Sequence, residues 1–374
     1  MSEWSNVNLA SLLSFGNGKS RPLDSGNIPV YGGNGIMSYV SHFNYDHETI
    51  IIGRVGAYCG ATYYENKPIW ISDNALSAKA VGEHNTKYLY YLLKNLDLNQ
   101  FAEGSSHPLL TQKLLNSIET KTALNPNEQK SIASVLSSLD DKIDLLHCQN
   151  KTLESMAETL FRQWFIEESQ DEWPEATLNQ YVELNKSSID KKYTIKEIQY
   201  LDTGSLTKGK ISELQKILLS DAPSRAKRLV NNFDIIISTV RPDQCHYGIC
   251  IDPPSNLVVS TGFCVITSKS LSPFFIYYLI TSEDMTEYLH SIAEGSTSTY
   301  PSLKPEDIGN IPFLYPSEEK LKNFHDLVGS YWNKIHNNHK KIQTLETLRD
   351  TLLPKLMSGE VRVQYAEEKL ESVA

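Results

Sequence analysis

The sequence predicts an α+β fold: two similar mixed α/β domains separated by a pair of long antiparallel helices, a coiled coil, and related by a pseudo-two-fold internal repeat. Three observations carry this expectation. One uninterrupted helical stretch follows Pro126, a second follows Pro316, and the same landmarks precede each in the same order.

Between Pro126 and Pro174 there is neither Pro nor Gly, the residues that most often interrupt helices. Ile132, Leu136, Leu139, Ile143, Leu146, Asn150, Leu153, Ala157, Leu160 and Trp164 alternate there in steps of four and three. A period of about 3.5 is the seam of a helix packed lengthwise on another helix. Asn125 stands at the capping position, with Glu128 in the first turn. Some 40 residues at about 1.5 Å each make a rod of roughly 60 Å, which needs a partner. That partner begins at Pro316, where Pro126-x-Glu128-Gln129-Lys130 recurs as Pro316-x-Glu318-Glu319-Lys320. The same steps follow at Phe324, Val328, Tyr331, Ile335, Asn338, Ile342, Leu345, Arg349, Leu352 and Leu356. Two departures from symmetry are Gly329 inside this helix and Pro354, expected to end or kink it.

Each domain opens with a Trp and a Leu five residues on (Trp4/Leu9, Trp173/Leu178) and reaches Lys19-Ser20 or Lys186-Ser187. A β-branched run with an Arg beyond it follows: Ile50 to Arg54, and Ile235 to Arg241. Next come a second apolar run (ending Ile71 to Ala75, or Val259 to Phe263), an aromatic-rich helix (Tyr88 to Leu96, Phe274 to Ile280), and Ala-Glu-Gly-Ser at 102–105 or 293–296. The expected boundaries are a domain over 1–125, a helix over 126–168, a domain over 169–315, a helix over 316–361 and a frayed tail over 362–374. Within these, Glu167 to Glu172 reads as a solvated connector.

Composition sets the class. With 374 residues and 40% hydrophobic content, the chain can bury the cores of two or three domains. It has no 18-residue apolar run and no signal-like start, so it is read as neither membrane-spanning nor secreted. Five cysteines without Cys-x-x-Cys spacing fit reduced thiols and a cytoplasmic protein. The formal charge of −10 argues against coating nucleic acid by bulk charge, so any such face is local or completed by another subunit.

On Gly26-Asn27-Ile28-Pro29-Val30-Tyr31-Gly32, Ala102-Glu103-Gly104-Ser105, Pro126-x-Glu128-Gln129-Lys130 and their second-half counterparts from Ala293 to Gly359, the whole chain resembles the specificity subunit of a type I restriction-modification enzyme. The resemblance implies a non-catalytic chain with two target-recognition domains, each reading one half of a split site in double-stranded DNA. It also implies helices that set the spacer and dock two methyltransferase subunits, to which nuclease-translocase subunits can add. S-adenosylmethionine would be bound by those partners, as would ATP and Mg²⁺ where a nuclease subunit joins. The competing reading is a helical adaptor that scaffolds two protein partners without DNA.

Enzyme readings fit the residues poorly. Asn17-Gly18-Lys19-Ser20 lacks the first glycine of a phosphate-binding loop, and Pro22 blocks the following helix. Gly53, Gly56 and Gly60 precede another strand rather than a dinucleotide-holding helix, which makes them turn glycines. Asp252-Pro253-Pro254-Ser255 lacks the aromatic that would stack on a flipped base. Asp307 with Glu318 and Lys320 copies nuclease spacing, but the latter two open a helix. His336 with His339 reads as a solvated helix face, and Cys245-His246 with Cys250 lacks zinc spacing.

Recognition remains. From Lys186 to Arg228 there are ten Lys or Arg against five acids. Arg241, Gln244 and His246 lie just past a strand, where Arg and Gln can pair bidentately with guanine and adenine. Ser296, Thr297, Ser298, Tyr300 and Lys304 form a polar loop suited to phosphates or bases. The matching candidates in the first domain are Lys19, Arg54, Tyr58, His107, Gln112 and Lys113, and Lys186 completes the set in the second.

Overall fold

The computed structural model describes residues 4–104, 107–190, 192–296 and 300–363. It divides into two compact units, Met1–Leu146 with Lys340–Ala374, and His147–His339, so that each unit takes part of both long helices.

Among the described residues the first unit holds nine strands: β1 (Trp4–Asn8), β2 (Leu13–Asn17), β3 (Ile28–Gly32), β4 (Gly35–Val40), β5 (Thr49–Gly53), β6 (Thr62–Glu65), β7 (Trp70–Ile71), β8 (Ala75–Ala80) and β9 (Glu119–Ala123). They form a β1-β9 pair, an antiparallel sheet in the order β2-β8-β5-β6, and a sheet in the order β4-β3-β7. β5 is a run of isoleucines because both its faces are covered. Ile50 and Ile52 join Leu76, Ala78 and the Tyr88, Leu89, Leu92 and Leu93 face of α1 (Thr86–Leu96). Ile51 points the other way, to Tyr31, Ile69, Ile71 and Ala75. This is the period-two alternation of a strand between two apolar layers. Short α2 (Gln112–Ser117) precedes β9, and α3 (Pro126–Arg162) follows it.

The second unit repeats the plan. Its strands are β10 (Glu175–Thr177), β11 (Val182–Leu184), β12 (Glu197–Leu201), β13 (Leu206–Thr207), β14 (Lys210–Ile211), β15 (Gln215–Leu218), β16 (Ala226–Leu229), β17 (Ile235–Ser238), β18 (Tyr247–Ile249), β19 (Leu257–Ser260), β20 (Phe263–Ser268) and β21 (Pro312–Leu314). Here β10-β21, β11-β20-β17-β18 and β15-β12-β19 answer the three sheets of the first unit, and β12 with β19 is parallel as β3 with β7 is. Ile235 and Ile237 face one core and Ile236 the other, as in β5. α4 (Pro273–Thr281) and α6 (Pro305–Gly309) occupy the places of α1 and α2. Among the described residues, the β13-β14 hairpin, β16 and α5 (Glu283–Glu294) belong to this unit alone.

The long helices are α3, 37 residues, and α7 (Glu318–Ser358), 41 residues. Asn125 caps α3 as the sequence predicts, its Oδ1 accepting the N–H groups of Asn127 and Glu128 at 2.9 and 3.2 Å. Within the first unit Ile143 and Leu146 pack on Ile342 with Leu345 beside them, and Arg349 donates to Asp140 at 2.9 Å. Further toward the start of α3, Ile132 and Leu136 share a core with Leu353 and Leu356, so the helices are antiparallel. Within the second unit Asn338 donates to Asn150 at 2.7 Å, both side chains buried. Phe161 and Phe324 then meet with ring centroids 6.1 Å apart, alongside buried Val328 and Ile335. Leu139, Leu153, Leu160, Tyr331 and Leu352 are only partly covered. Phe161, Phe165, Trp332, Leu353 and Met357, outside the expected seam, are buried instead. Near the ends, each helix also covers a domain surface, and there its apolar face widens beyond a coiled-coil stripe.

Pro354 neither ends α7 nor marks its last turn, because the helix runs on to Ser358. Its exposed ring leaves Leu353, Leu356 and Met357 seated in the first core, which offsets the missing backbone bond. Gly329 is explained by α4. A Cβ there would lie 3.2 Å from the buried Phe274 ring, so the glycine admits a close helix approach.

Candidate nucleic-acid interface

In each unit the loop leaving the central strand is held by a second loop arriving from upstream of α2 or α6. In the second unit Val240 bridges Ser302, Arg241 N–H donates to Pro301 O at 3.0 Å, and Leu303 N–H to Thr239 O at 2.7 Å. In the first, Val55 bridges Leu109, Gly56 N–H donates to Pro108 O at 3.1 Å, and Leu110 N–H to Arg54 O at 2.9 Å. The return to the sheet also matches, through Ser238 N–H to His246 O (2.8 Å) and Gly53 N–H to Ala61 O (2.7 Å). Both loops turn through two left-handed residues, Gly56 (φ 75°) and Gly60 (φ 89°) against Arg241 (φ 51°) and Cys245 (φ 55°).

This register corrects the pairing of Arg54 with Arg241. The counterpart of Arg241 is Gly56, that of Arg54 is Thr239, and His107 stands opposite Tyr300, each just before its proline. The sequence signals are the Pro-x-Leu of both arriving loops and the shared four-residue interval between the two left-handed positions. Different residue types at those positions conceal the interval.

In the second unit the structure brings together Arg241, Gln244, His246, Ser296 and Tyr300. The exposed Arg241 guanidinium lies 4.7 Å from the Tyr300 ring centroid. Ser302 N–H donates to Ser296 Oγ at 3.4 Å, closing the arriving loop. His246 Nδ1, 2.6 Å from the Leu206 carbonyl, must carry a proton. Its Nε2 is 3.0 Å from the Gln244 amide. The amide atom facing it is Gln244 Oε1. Asp243 turns to His290 of α5 at 3.5 Å, a support that sequence reasoning missed. Lys304 is exposed at the head of α6, its N–H donating to Asp307 at 2.7 Å. Lys186 is instead engaged with Glu183, whose carboxylate raises its pKa. Thr297 and Ser298 lie outside the described residues.

In the first unit Lys19 and Arg54 leave the β2-β8-β5 sheet at the same end, since Asn17 and Ile52 both stand opposite Leu76. Lys19, Tyr58, His107 and Lys113 are exposed. Arg54 is half-buried, its Nε enclosed without an acceptor among the described residues. Gln112 is tied down: with its donors facing acceptors, its amide bonds Phe15 O and Asn17 N–H at 3.2 Å each. Sequence reasoning also missed the β3-β4 hairpin tip. Gly33 packs against Gly53 and Val55, and Ile36 and Met37 stand about half exposed beyond it.

Several residues of the rejected enzyme motifs are structurally engaged. Lys19 lies in extended backbone paired with Ile71 and Ser72. β6, a strand, follows Gly60, so no helix N-terminus is there to hold a cofactor phosphate. Asp307 caps α6, and Lys320 pairs with Glu168 at 3.2 Å over the Trp173 ring. His336 faces Asp252 at 3.5 Å, and the exposed His339 has its pKa lowered by partial desolvation and by the neighbouring His147 and His336.

Residues 1–155 match the type I restriction modification DNA specificity domain family. The MjaIX specificity subunit of a type I restriction enzyme from Methanocaldococcus jannaschii is 31% identical over 309 residues, 75% of this chain and 70% of that one. The chain belongs to the type I restriction enzyme specificity subunits. The MjaVIII specificity subunit of the same organism is 25% identical over 303 residues, 74% of this chain and 70% of its own length. The fold of this specificity subunit is that of the type I S subunit crystallised from M. genitalium, with a TM-score of 0.66 at 19% identity over 95% of this chain and 96% of that one. No helix among the described residues is long and apolar enough to cross a membrane.

Proposed function

We propose that this specificity subunit reads a bipartite site in double-stranded DNA, each unit taking one half-site through the paired loops at the end of its central strand. The observation that carries the reading is the repeated loop itself. Two copies of one backbone, with the same bonds and the same left-handed turns, display different side chains. A fixed frame with variable polar tips is what base readout requires, because phosphate contacts position a protein and base-edge contacts specify sequence. α3 and α7 then set the spacer and dock two methyltransferase subunits, which bind S-adenosylmethionine and carry out the methyl transfer. Nuclease subunits that join the complex bring ATP and Mg²⁺. The formal charge of −10 fits a chain whose partners supply much of the basic surface round the DNA.

The test is a genome-wide map of methylated adenines in cells carrying the methyltransferase subunits with and without this chain. A split motif that appears only with the chain supports the reading. Replacing residues 169–315 by those of a relative should change one half of the motif and spare the other. A map indifferent to the chain sinks the proposal. So does DNA binding by the assembled complex that does not weaken as salt rises.

A further inference from the structure

We propose that Arg241 reads a guanine in the half-site taken by the second unit, and that Tyr300 is the positioning residue that aims its guanidinium. This rests on the DNA-reading function above and names the base that one loop selects.

The backbone of Arg241 is the starting point. It sits at φ 51° and ψ 68°, a left-handed conformation disfavoured for any residue with a Cβ. Pro242 follows it, and a proline restricts the residue ahead of it further. The loop does not need this arginine to close. In the first unit the same bonds form around Gly56, at φ 75° with open space where a Cβ would go. The backbone therefore does not account for an arginine at this position, which directs attention to its side chain.

That side chain is prepared for one kind of partner. It is exposed and lies over Tyr300, 4.7 Å from the ring centroid. Among the described residues, no carboxylate is within ion-pair distance of the guanidinium and no acceptor takes its N–H groups, Asp243 being turned to His290 at 3.5 Å. A guanidinium stacked by one face keeps its in-plane fork of donors outward, matched to two acceptors at fixed spacing. The ring also restricts its rotamers before binding, so less entropy is lost on contact. In the major groove, guanine O6 and N7 offer that acceptor pair on one base edge. A phosphate contact would be served as well by a cation on an unstrained backbone, with no ring beneath it.

The experiment uses the full chain assembled with its methyltransferase subunits, on duplexes that vary every base pair of the second half-site one at a time. Arg241→Gly, which the backbone accepts, should erase a preference for G·C at one position by about tenfold to a hundredfold. Other positions and the first half-site should keep their preferences, and the melting temperature should not fall. Tyr300→Phe, which retains the ring, should keep that single-position preference for G·C. Tyr300→Leu should lose most of the same single-position preference. Equal weakening on all sequences, with a salt dependence shallower by about one phosphate contact, would place Arg241 on the backbone and overturn the proposal. Unchanged discrimination in Arg241→Gly would overturn it too, and a silent Tyr300→Leu would remove the positioning role. Failure of the wider reading looks different: replacing residues 169–315 would then leave the methylated motif unchanged.

Discussion

Gly60 and Gly56 are both left-handed, yet the space around them differs. A Cβ on Gly60 would meet the Asn99 backbone nitrogen at 2.5 Å, while one on Gly56 would meet nothing within 4 Å. Gly60→Ala is therefore expected to destabilise the first unit by about 3 kcal/mol, and Gly56→Ala by only about 1 kcal/mol. Thermal melts of the two variants check the ranking, and equal shifts would contradict it. The cysteines divide in the same way. Burial pushes the Cys250 and Cys264 thiols up to about 12 and raises that of Cys59, whereas Cys148 is exposed. At pH 8 an alkylating reagent should label Cys148 in the folded chain and reach Cys59, Cys250 and Cys264 only after unfolding, as peptide mapping would reveal. At this scale the sequence disclosed residue types but not their company. It placed Arg241, Gln244 and His246 beyond a strand. It could not tell that Gln112 is tied to β2 or that Lys186 is held by Glu183, since both depend on neighbours distant in the chain.

The paired helices were the most legible elements, because a 4-3 spacing of apolar residues leaves few alternatives. Their ends were less so: Phe161, Phe165, Leu353 and Met357 step by four along a wider face once the helix also covers a domain. The buried Asn150–Asn338 pair sits on the seam itself and fixes the helices' alignment in the second unit. Asn338→Leu alone should cost about 1–3 kcal/mol, because Asn150 is then buried without its partner. Replacing both by Leu should restore or exceed the parent stability, and a denaturation double-mutant cycle measures the coupling. An additive double variant would show that the two amides act independently. Beside the Asn125 cap, a buried carboxylate anchors the entry of α3. Glu128, 1% exposed, accepts from Trp4 Nε1 at 3.2 Å and Arg362 Nη1 at 2.6 Å. Glu128→Ala should lose about 3 kcal/mol in urea unfolding, far more than any of the exposed lysine–glutamate pairs would.

For the whole molecule, the duplication was readable from ordered landmarks such as Trp4/Leu9 and Trp173/Leu178. The β13-β14 hairpin, β16 and α5 were not, since they fall between landmarks and have no counterpart in the first half to be compared with. If the helices set the spacer, inserting one heptad into each, after Leu146 in α3 and ahead of Lys340 in α7, keeps the seam facing inward and should lengthen the gap between half-sites. Methylation footprints with an unchanged gap would count against that role. The matched left-handed turns bear on how such a chain changes its preferences over evolutionary time. Gly56 is a blank mount: its hinge angle is already set and nothing crowds it. If the first unit reads DNA through this loop, new recognition can begin with one substitution onto an existing bracket, without any rebuilding of the sheet that carries it.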